Sequence, residues 1–521
     1  MAVELIKDLL KIDQIIGKDE IQSLVEGQIR VPDTKPKIKK VLKIDGDVEV
    51  TGTKTAKGKV IVNGIVNFNV LYNTDDELQA VHNISAKTDF REEIEIEGAK
   101  EDTAVDVKAN IEHIDYDQES DSSISVKTVI SISGKATYDN TIDIIKDIKG
   151  AEGIQILKEN IKYNDVLGAN TSATLVKEAF ELDENMPDII DILRIDTKVH
   201  EKETKVVEDK VIVAGVVVCS IMYFGDDEEN KLNYINHEIP FTHFVELPGA
   251  EKDMNCALKL DSYDINYEVK EDINGALRVI DIESTVKVSA KVYRQIEKEV
   301  AIDTYSTNRV LDIKKQEVVV SESVGQKISI ETIKGTLEVG KDIIKNIYNI
   351  SGRSLITDYK IMENNVIIEG LLEADMLYQA EENNEIKDSR HEIPFKAYID
   401  INEVDDELDL EVETILDDIS YKKVNSHEVE LEASIKNCVN INRIKKINIV
   451  TEAADTGETI DRFSRPSITI YIVQKDDTLW DIAKRYNTTV EEIIRTNDII
   501  SPENIMPGEK IIIEKNVSFQ L

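Results

Sequence analysis

VIVNGIVNFNVLY, the stretch Val60–Tyr72, decides the fold because related versions of it occur three times in the chain. The second copy is VIVAGVVVCSIMY, Val211–Tyr223, and the third is VIIEGLLEADMLY, Val366–Tyr378. Each copy has a glycine at its fifth position and ends in tyrosine, and successive copies begin 151 and 155 residues apart. A period of about 150 residues is too long for a solenoid unit and matches the size of a whole domain. The chain therefore contains three related domains in tandem.

Further landmarks recur in the same order around these stretches, as expected for internal repeats. They are Ile44, Ile195 and Ile350, then His82, His237 and His391, then Tyr116, Tyr267 and Tyr421. Each isoleucine lies 20 residues before the glycine of its copy. We expect the histidines to start or precede strands and to make structural hydrogen bonds rather than to act in catalysis.

The repeats have the alternation of β-sheet. Runs rich in Val, Ile and Thr, such as 124–128 and 285–290, are separated by clusters of Asp, Asn and Gly. This pattern is typical of an antiparallel sandwich or barrel. The runs that carry Gly64, Gly215 and Gly370 are apolar on both faces, so we expect core strands in which the glycine marks a bulge or a close backbone approach.

The predicted fold class is mainly β, with three tandem β-sandwich or barrel-like domains before a small βααβ module. The boundaries that we expect are 1–150, 151–307 and 308–447 for the repeats, 448–466 for a linker, and 467–514 for the last module.

Two segments depart from the strand pattern. Val3–Ile15 predicts a helix, because Leu5, Leu9 and Ile12 would share one helical face. Thr451–Pro466 is polar and lacks periodicity, which predicts a tether between the repeats and the last module.

The last module has its own periodicity. Ile468–Val473 alternates as a strand does, and Leu479, Ile482, Ala483 and Tyr486 would form one helical stripe. Asp477 or Thr478 can cap that helix, and Thr489 with Glu492 predicts a capping box for a second helix. Pro507-Gly508 then turns the chain into a final strand, which completes the order β-α-α-β.

This module resembles the LysM domain. The residues that carry the resemblance are Tyr471–Ala483, Ile493–Asn497 and Ile505–Ile511. The usual glycine of the first turn is Asp476 here, a residue that tolerates positive φ better than most. Secreted LysM domains bind N-acetylglucosamine polymers, and the resemblance places a partner-binding groove at Asp477, Thr478, Trp480, Ile505 and Met506. The single tryptophan, Trp480, could be an exposed anchor or a residue that packs at the rim.

The net charge and the length of the apolar stretches restrict the possible partners and compartment. The chain has 63 Lys and Arg against 103 Asp and Glu, a net charge of −40, which disfavours nucleic acid and anionic membranes. The acidity serves solubility or attracts a basic partner. Glu4 and Asp8 interrupt the first apolar residues, and 211–224 is too short to span a bilayer. We therefore expect a cytoplasmic protein without membrane insertion.

The chemistry of an enzyme is not apparent in this sequence. Cys219, Cys256 and Cys438 are far apart, form no CxxC metal motif and suit a reducing compartment. No P-loop, GxGxxG or GxSxG occurs, and the carboxylates are too abundant for one pair to stand out. We predict no catalytic residues, no metal site and no cofactor.

The combination of three β-rich repeats, a polar tether and a terminal LysM domain resembles the clostridial spore-coat assembly proteins of the SipL type, whose repeats are SPOCS domains. The resemblance implies a scaffold made in the mother cell that binds the coat ATPase SpoIVA through its LysM domain and localises the coat around the forespore. Other coat proteins are possible partners. A peptidoglycan-binding role is the alternative, and a hydrolase subunit with an active site in the repeats is a third.

Overall fold

The computed structural model describes residues 4–75, 79–101, 103–150, 152–227, 232–362, 364–382, 385–401, 408–461 and 466–514. Each repeat consists of six strands. The first repeat has β1 (Glu4–Arg30), β2 (Lys40–Ala56), β3 (Lys59–Asn73), β4 (Val81–Glu95), β5 (Ala104–Ser120) and β6 (Ser123–Lys149). The second has β7 (Ile154–Glu181), β8 (Ile189–Val207), β9 (Lys210–Gly225), β10 (Leu232–Glu246), β11 (Asn255–Glu271) and β12 (Leu277–Ser306). The third has β13 (Arg309–Glu338), β14 (Ile344–Met362), β15 (Asn365–Ala380), β16 (Ile386–Asp400), β17 (Leu408–Lys423) and β18 (Glu428–Thr459).

The six strands of a repeat form two antiparallel sheets of three strands each. In the first repeat the orders are β1-β6-β5 and β2-β3-β4, and the same arrangement recurs as β11-β12-β7 with β10-β9-β8 and as β13-β18-β17 with β14-β15-β16. In every case the strand that carries the repeated glycine is the centre of its sheet. Residues from both sheets fill a common apolar core in each repeat. The predicted fold class, mainly β with sandwich-like repeats, is confirmed.

The repeated glycine makes room for an aromatic ring. Gly215 lies directly opposite Phe241 on β10, and a Cβ at this glycine would come within 2.7 Å of that ring and 2.8 Å of the His200 carbonyl oxygen. On the other side, β8 has a bulge directly after Glu201, the residue that faces the glycine. Both features predicted for the glycine position, a bulge and a close approach, are therefore present. The equivalent pairs are Gly64 with Phe90 and Gly370 with Phe395.

The same register corrects the histidine landmarks. Counted from the glycine pairs, the first-repeat position that matches His237 and His391 is Ala86, whereas His82 lies at the second position of β4. His237 and His391 lie within β10 and β16, so the expectation that they start strands is wrong. The short matches His82-Asn-Ile84, His237-Glu-Ile239 and His391-Glu-Ile393 misaligned the first repeat by four residues. The pairing of residues across the sheet, not a three-residue match, fixes the register.

The helix predicted at the start of the chain is wrong. The described part of that segment belongs to β1, which pairs with β6 from Glu4 opposite Lys149 onward. Leu10 and Ile12 are buried, whereas Leu9 and Lys11 on either side of Leu10 are exposed, Leu9 at 49%. A period of two therefore decides the burial, and pairing with a strand more than a hundred residues away overrides the local helical spacing.

The tether predicted over 448–466 is wrong for residues 448–459. These residues continue β18 and pair with β13, for example Ala453 with Ile313 and Thr459 with Arg309. Val450 and Ala453 are buried, so this stretch is a strand with one polar face and not an unpaired linker. Residues 462–465 of the predicted tether lie outside the described residues.

The three repeats close into a ring around an approximate threefold axis. The fourth strand of each repeat contacts the second strand of the next one, so that β4 meets β8, β10 meets β14, and β16 meets β2. The long first and last strands of the repeats extend beyond the sandwiches and pack together. Their shared apolar cluster consists of Leu10, Ile12, Ile142, Ile144, Ile161, Tyr163, Val300, Val318, Val320, Ile447 and Ile449. Because every repeat contributes to this cluster, the ring is stabilised as one unit.

A polar junction also lies where the repeats meet. The Lys43 ammonium is 3.3 Å from Asp45 and 3.1 Å from Asp375, and it donates a hydrogen bond of 2.9 Å to Ser351. Asp45 also pairs with Arg194 of the second repeat. Lys43, Arg194 and Asp375 line a cavity of about 50 Å³ together with other residues from all three repeats. Largely buried charges of both signs therefore connect the repeats, an arrangement in which removal of one partner is destabilising.

Candidate functional site

The C-terminal module has the predicted order of elements. It consists of β19 (Ile468–Ile472), α1 (Leu479–Tyr486), α2 (Val490–Asn497) and β20 (Lys510–Glu514), and β19 pairs antiparallel with β20. Its core contains residues from both helices and both ends of the sheet. These residues are Val473, Leu479, Ile482, Ala483, Ile493, Ile511 and Ile513.

The helix starts confirm the capping predictions. Thr478 is the N-cap of α1, and its hydroxyl accepts a hydrogen bond of 3.1 Å from the Asp481 amide. Thr489 and Glu492 form the predicted capping box of α2. Asp476, which stands at the usual glycine position, has φ of 66°. An aspartate can occupy this left-handed conformation at modest strain, so the loop keeps its shape without glycine.

Asp477, a predicted groove residue, holds the loop before α1. Its carboxylate is 10% exposed and accepts hydrogen bonds from the Tyr471 hydroxyl at 2.6 Å and the Gln474 amide at 2.7 Å. The bond from Tyr471 and then that from Gln474 hold the pKa of Asp477 below its ordinary value. Arg485 in turn donates to the Tyr471 hydroxyl at 2.7 Å. Asp477 therefore orders the loop, and any contact with a ligand would compete with these bonds.

Trp480 is a packing residue and not an exposed anchor. Its side chain is half-buried, and its indole nitrogen donates a hydrogen bond of 2.8 Å to Asp303 on β12 of the second repeat. The ring of Tyr305 meets the indole edge-on, with 4.9 Å between centroids. The tryptophan therefore lies at a contact between the LysM domain and the repeats.

The remaining groove residues differ in exposure. Thr478 is exposed and Met506 is 62% exposed, whereas Ile505 is half-buried against the module's core. The structure thus leaves Thr478 and Met506 on the surface and uses Asp477 and Trp480 for internal contacts. A role of these five residues in binding stays a prediction.

An apolar surface that was not predicted lies on the outer face of the two-stranded sheet. Ile468, Ile470 and Ile472 of β19 are 60%, 62% and 50% exposed, and Ile512 of β20, opposite Ile470, is 38% exposed. We call these four residues the isoleucine face. The two helices cover the other side of the sheet, and no second layer covers this one among the residues that the structure describes. The sequence signal was available, because an alternating strand in so small a module must present one of its faces to solvent.

Other chemistry is sparse in the described part of the chain. No three His, Cys, Asp or Glu side chains cluster there as the ligands of one metal ion would. Burial raises the pKa of the Cys219 and Cys256 thiols to about 11, which makes them poor nucleophiles near neutral pH. Among the described residues, none form a helix with the length and hydropathy that a membrane span requires.

Comparison with known families matches the repeats and the last module separately. The family model described as SipL, SPOCS domain matches residues 37–119, 188–270 and 343–424. The chain therefore carries three SPOCS domains of the SipL type. Each SPOCS match runs from the second to the fifth strand of its repeat, so the long first and last strands that join the ring lie outside it. The LysM domain model matches residues 471–514.

Similarity to curated proteins is confined to a short stretch. The chain is 54% identical over 43 residues to "SpoIVD-associated factor A" of Bacillus subtilis (strain 168), which is 8% of this chain and 11% of that protein. It is also 54% identical over 43 residues to "Spore coat assembly protein ExsA" of Bacillus cereus, 8% of this chain and 7% of that protein. The chain thus spans about a tenth of the length of these relatives or less. No solved structure matches it.

Proposed function

We propose that the chain is a scaffold of spore coat assembly that docks onto a coat protein through its LysM domain. Its three SPOCS domains and the printed names of its two relatives support a role in the coat. The exposed isoleucine face is the observation that favours a protein as the partner. A contiguous exposed apolar surface suits contact with another protein, whereas a sugar presents hydroxyl and amide groups.

The partner that we propose is the coat ATPase SpoIVA, with other coat proteins as further ligands of the repeats. The place of action in this proposal is the mother-cell side of the forespore surface. The contacts of Asp303 and Tyr305 attach the LysM domain to the ring, and in this proposal they hold its orientation relative to other surfaces of the repeats. The chain would act by binding and positioning, without catalysis.

A second candidate function is binding to peptidoglycan. Thr478 and Met506 favour it, because they are exposed residues of the groove that N-acetylglucosamine polymers occupy in secreted LysM domains. A sugar ring there could use the Thr478 hydroxyl as a hydrogen-bonding partner.

The two functions are separated by parallel binding assays on the whole chain. A fragment that starts at Thr451 would cut β18 away from β13 and lose the Tyr305 contact, so it is unsuitable. Immobilised SpoIVA and purified peptidoglycan would each be incubated with the wild type and with the double variant Thr478→Ala, Met506→Ala. We expect SpoIVA to retain both proteins. Strong retention on peptidoglycan that the double variant loses, without retention on SpoIVA, would contradict the proposal.

A further inference from the structure

Asp303 of the second repeat connects the ring to the LysM domain. Its carboxylate, 10% exposed, accepts from the Trp480 indole at 2.8 Å and from the Lys484 ammonium at 2.8 and 2.7 Å. Lys315 on β13 lies 2.9 Å from the same carboxylate. Hydrogen bonds to a charged acceptor that is shielded from water are stronger than bonds between neutral, exposed groups. This contact is therefore expected to be stable.

Tyr305, two residues further along β12, adds an apolar part to the same contact. It is 5% exposed, belongs to the core cluster of the LysM domain, and donates a hydrogen bond of 2.7 Å from its hydroxyl to the Thr488 carbonyl oxygen. Its ring lies against the edge of Trp480. The repeats therefore cover one side of α1 with both a charged and an aromatic residue.

The contact occupies the polar group of the Trp480 side chain. The indole N–H is the only hydrogen-bond donor of the Trp480 side chain, and Asp303 already accepts from it. The isoleucine face, by contrast, stays exposed while the contact is closed.

We propose that Asp303 and Tyr305 form a latch that closes the Trp480 side of the LysM groove to N-acetylglucosamine oligomers while the isoleucine face remains open to protein. The second part of this inference, that the isoleucine face remains open to protein, rests on the proposed function. The first part, that the Trp480 side is closed to sugar, does not. If only a fraction of the molecules is open, the apparent affinity of a ligand that needs the open state is reduced by that fraction. Release of the latch therefore tightens sugar binding and leaves protein binding unchanged.

The test uses the single tryptophan of the chain as its reporter. N-acetylglucosamine hexamer would be titrated into the wild type, Asp303→Ala and Asp303→Asn, with acrylamide quenching of Trp480 fluorescence measured alongside. Asp312→Ala, which removes an exposed carboxylate from the neighbouring strand β13, is the matched control. Thermal melting by circular dichroism checks folding, and Asp303→Asn keeps the shape of the side chain if the alanine variant unfolds.

We expect Asp303→Ala to increase quenching of Trp480 and to tighten hexamer binding about tenfold or more, with Asp303→Asn in between and Asp312→Ala unchanged. Unchanged quenching, or stronger quenching without tighter sugar binding, in the folded variants would overturn the latch. SpoIVA binding is measured on the same samples. Its absence from the wild type would count against the proposed function alone, because the sugar titration still decides the latch.

Discussion

The hydroxyl of Tyr305 in the second repeat donates a hydrogen bond to the carbonyl oxygen of Thr488 in the LysM domain, 183 residues later in the chain. The Tyr305 ring is part of the same buried cluster as Ile482 and Ile493 of the LysM helices. The small module therefore takes one of its core residues from the repeats. Its stability depends on that contact, since a module of fewer than 50 residues buries little apolar surface of its own.

Replacement of Tyr305 should destabilise the LysM domain selectively. We expect Tyr305→Ala to lower its free energy of unfolding by about 3–5 kcal/mol, because a buried aromatic ring is removed. Tyr305→Phe should lower it by about 1 kcal/mol, because only the bond to Thr488 is lost. Urea unfolding followed by Trp480 fluorescence measures both. Tyr398→Ala, at a residue that is 60% exposed, is the control and should leave the curve unchanged. Equal midpoints for Tyr305→Ala and the control would contradict the shared core.

Replacement of the repeated glycine should destabilise its repeat. The added methyl group of Gly215→Ala would meet the Phe241 ring and the His200 carbonyl oxygen at distances below 3 Å. We expect a loss of about 1–3 kcal/mol, because backbone as well as a ring must shift. Differential scanning calorimetry gives the change.

Gly168 in the same repeat supplies the matched control for this prediction. Its added Cβ would be 3.8 Å from the nearest side chain, that of Leu247, which is an ordinary contact. Gly168→Ala should change stability by less than about 0.5 kcal/mol. Similar losses for both variants would mean that the Gly–Phe pair has no special part in the sheet.

The polar junction of the ring should respond to pH through Asp388, which lines the cavity at that junction. Burial, with the charge of Asp375 as the next cause, raises the pKa of Asp388 to about 7. In the unfolded chain it is near 4, so between these values the folded state binds the extra proton and stability falls as pH rises. Among its neighbours, Lys43 and Arg390 lower the pKa of Asp388 and Asp45 raises it, so their effects partly cancel.

Asp388→Asn removes this titration. We expect the variant to match the wild type near pH 4 and to exceed its stability by roughly 2–4 kcal/mol at pH 8, where the wild type carries the buried charge. Urea unfolding by circular dichroism across pH 4–8 measures the difference, and Asp89→Asn on the exposed side of β4 is the control. Parallel stability curves for Asp388→Asn and the wild type would show that Asp388 does not titrate in this range.

Much of the architecture could be predicted from the sequence, because it depends on local patterns. The three stretches that begin with Val-Ile and carry a glycine at the fifth position indicated the number of domains. Alternation predicted the sheets, and the caps at Thr478 and Thr489 predicted both helices of the LysM domain. Local spacing failed at Glu4–Ile15 and at 448–459, where pairing with a distant strand decides the conformation.

The ring and the latch could not be predicted in this way. They depend on single residues such as Asp303 and Arg194, whose partners are far away in sequence and whose surroundings look like any other polar position of a strand. The isoleucine face was legible in the alternation of Ile468–Ile472, but its exposure follows only once the helices are seen to cover the opposite side of the sheet.

The central claim, that the LysM domain docks onto a protein through the isoleucine face, is tested most directly by the affinity for SpoIVA. Biolayer interferometry would compare the wild type with Ile470→Asp and with Ile330→Asp, an isoleucine of β13 that is 60% exposed against 62% for Ile470. We predict that Ile470→Asp weakens binding by about tenfold or more, because a charge is buried in an apolar contact, and that Ile330→Asp leaves the affinity unchanged. Equal affinities for the wild type and Ile470→Asp would contradict the account.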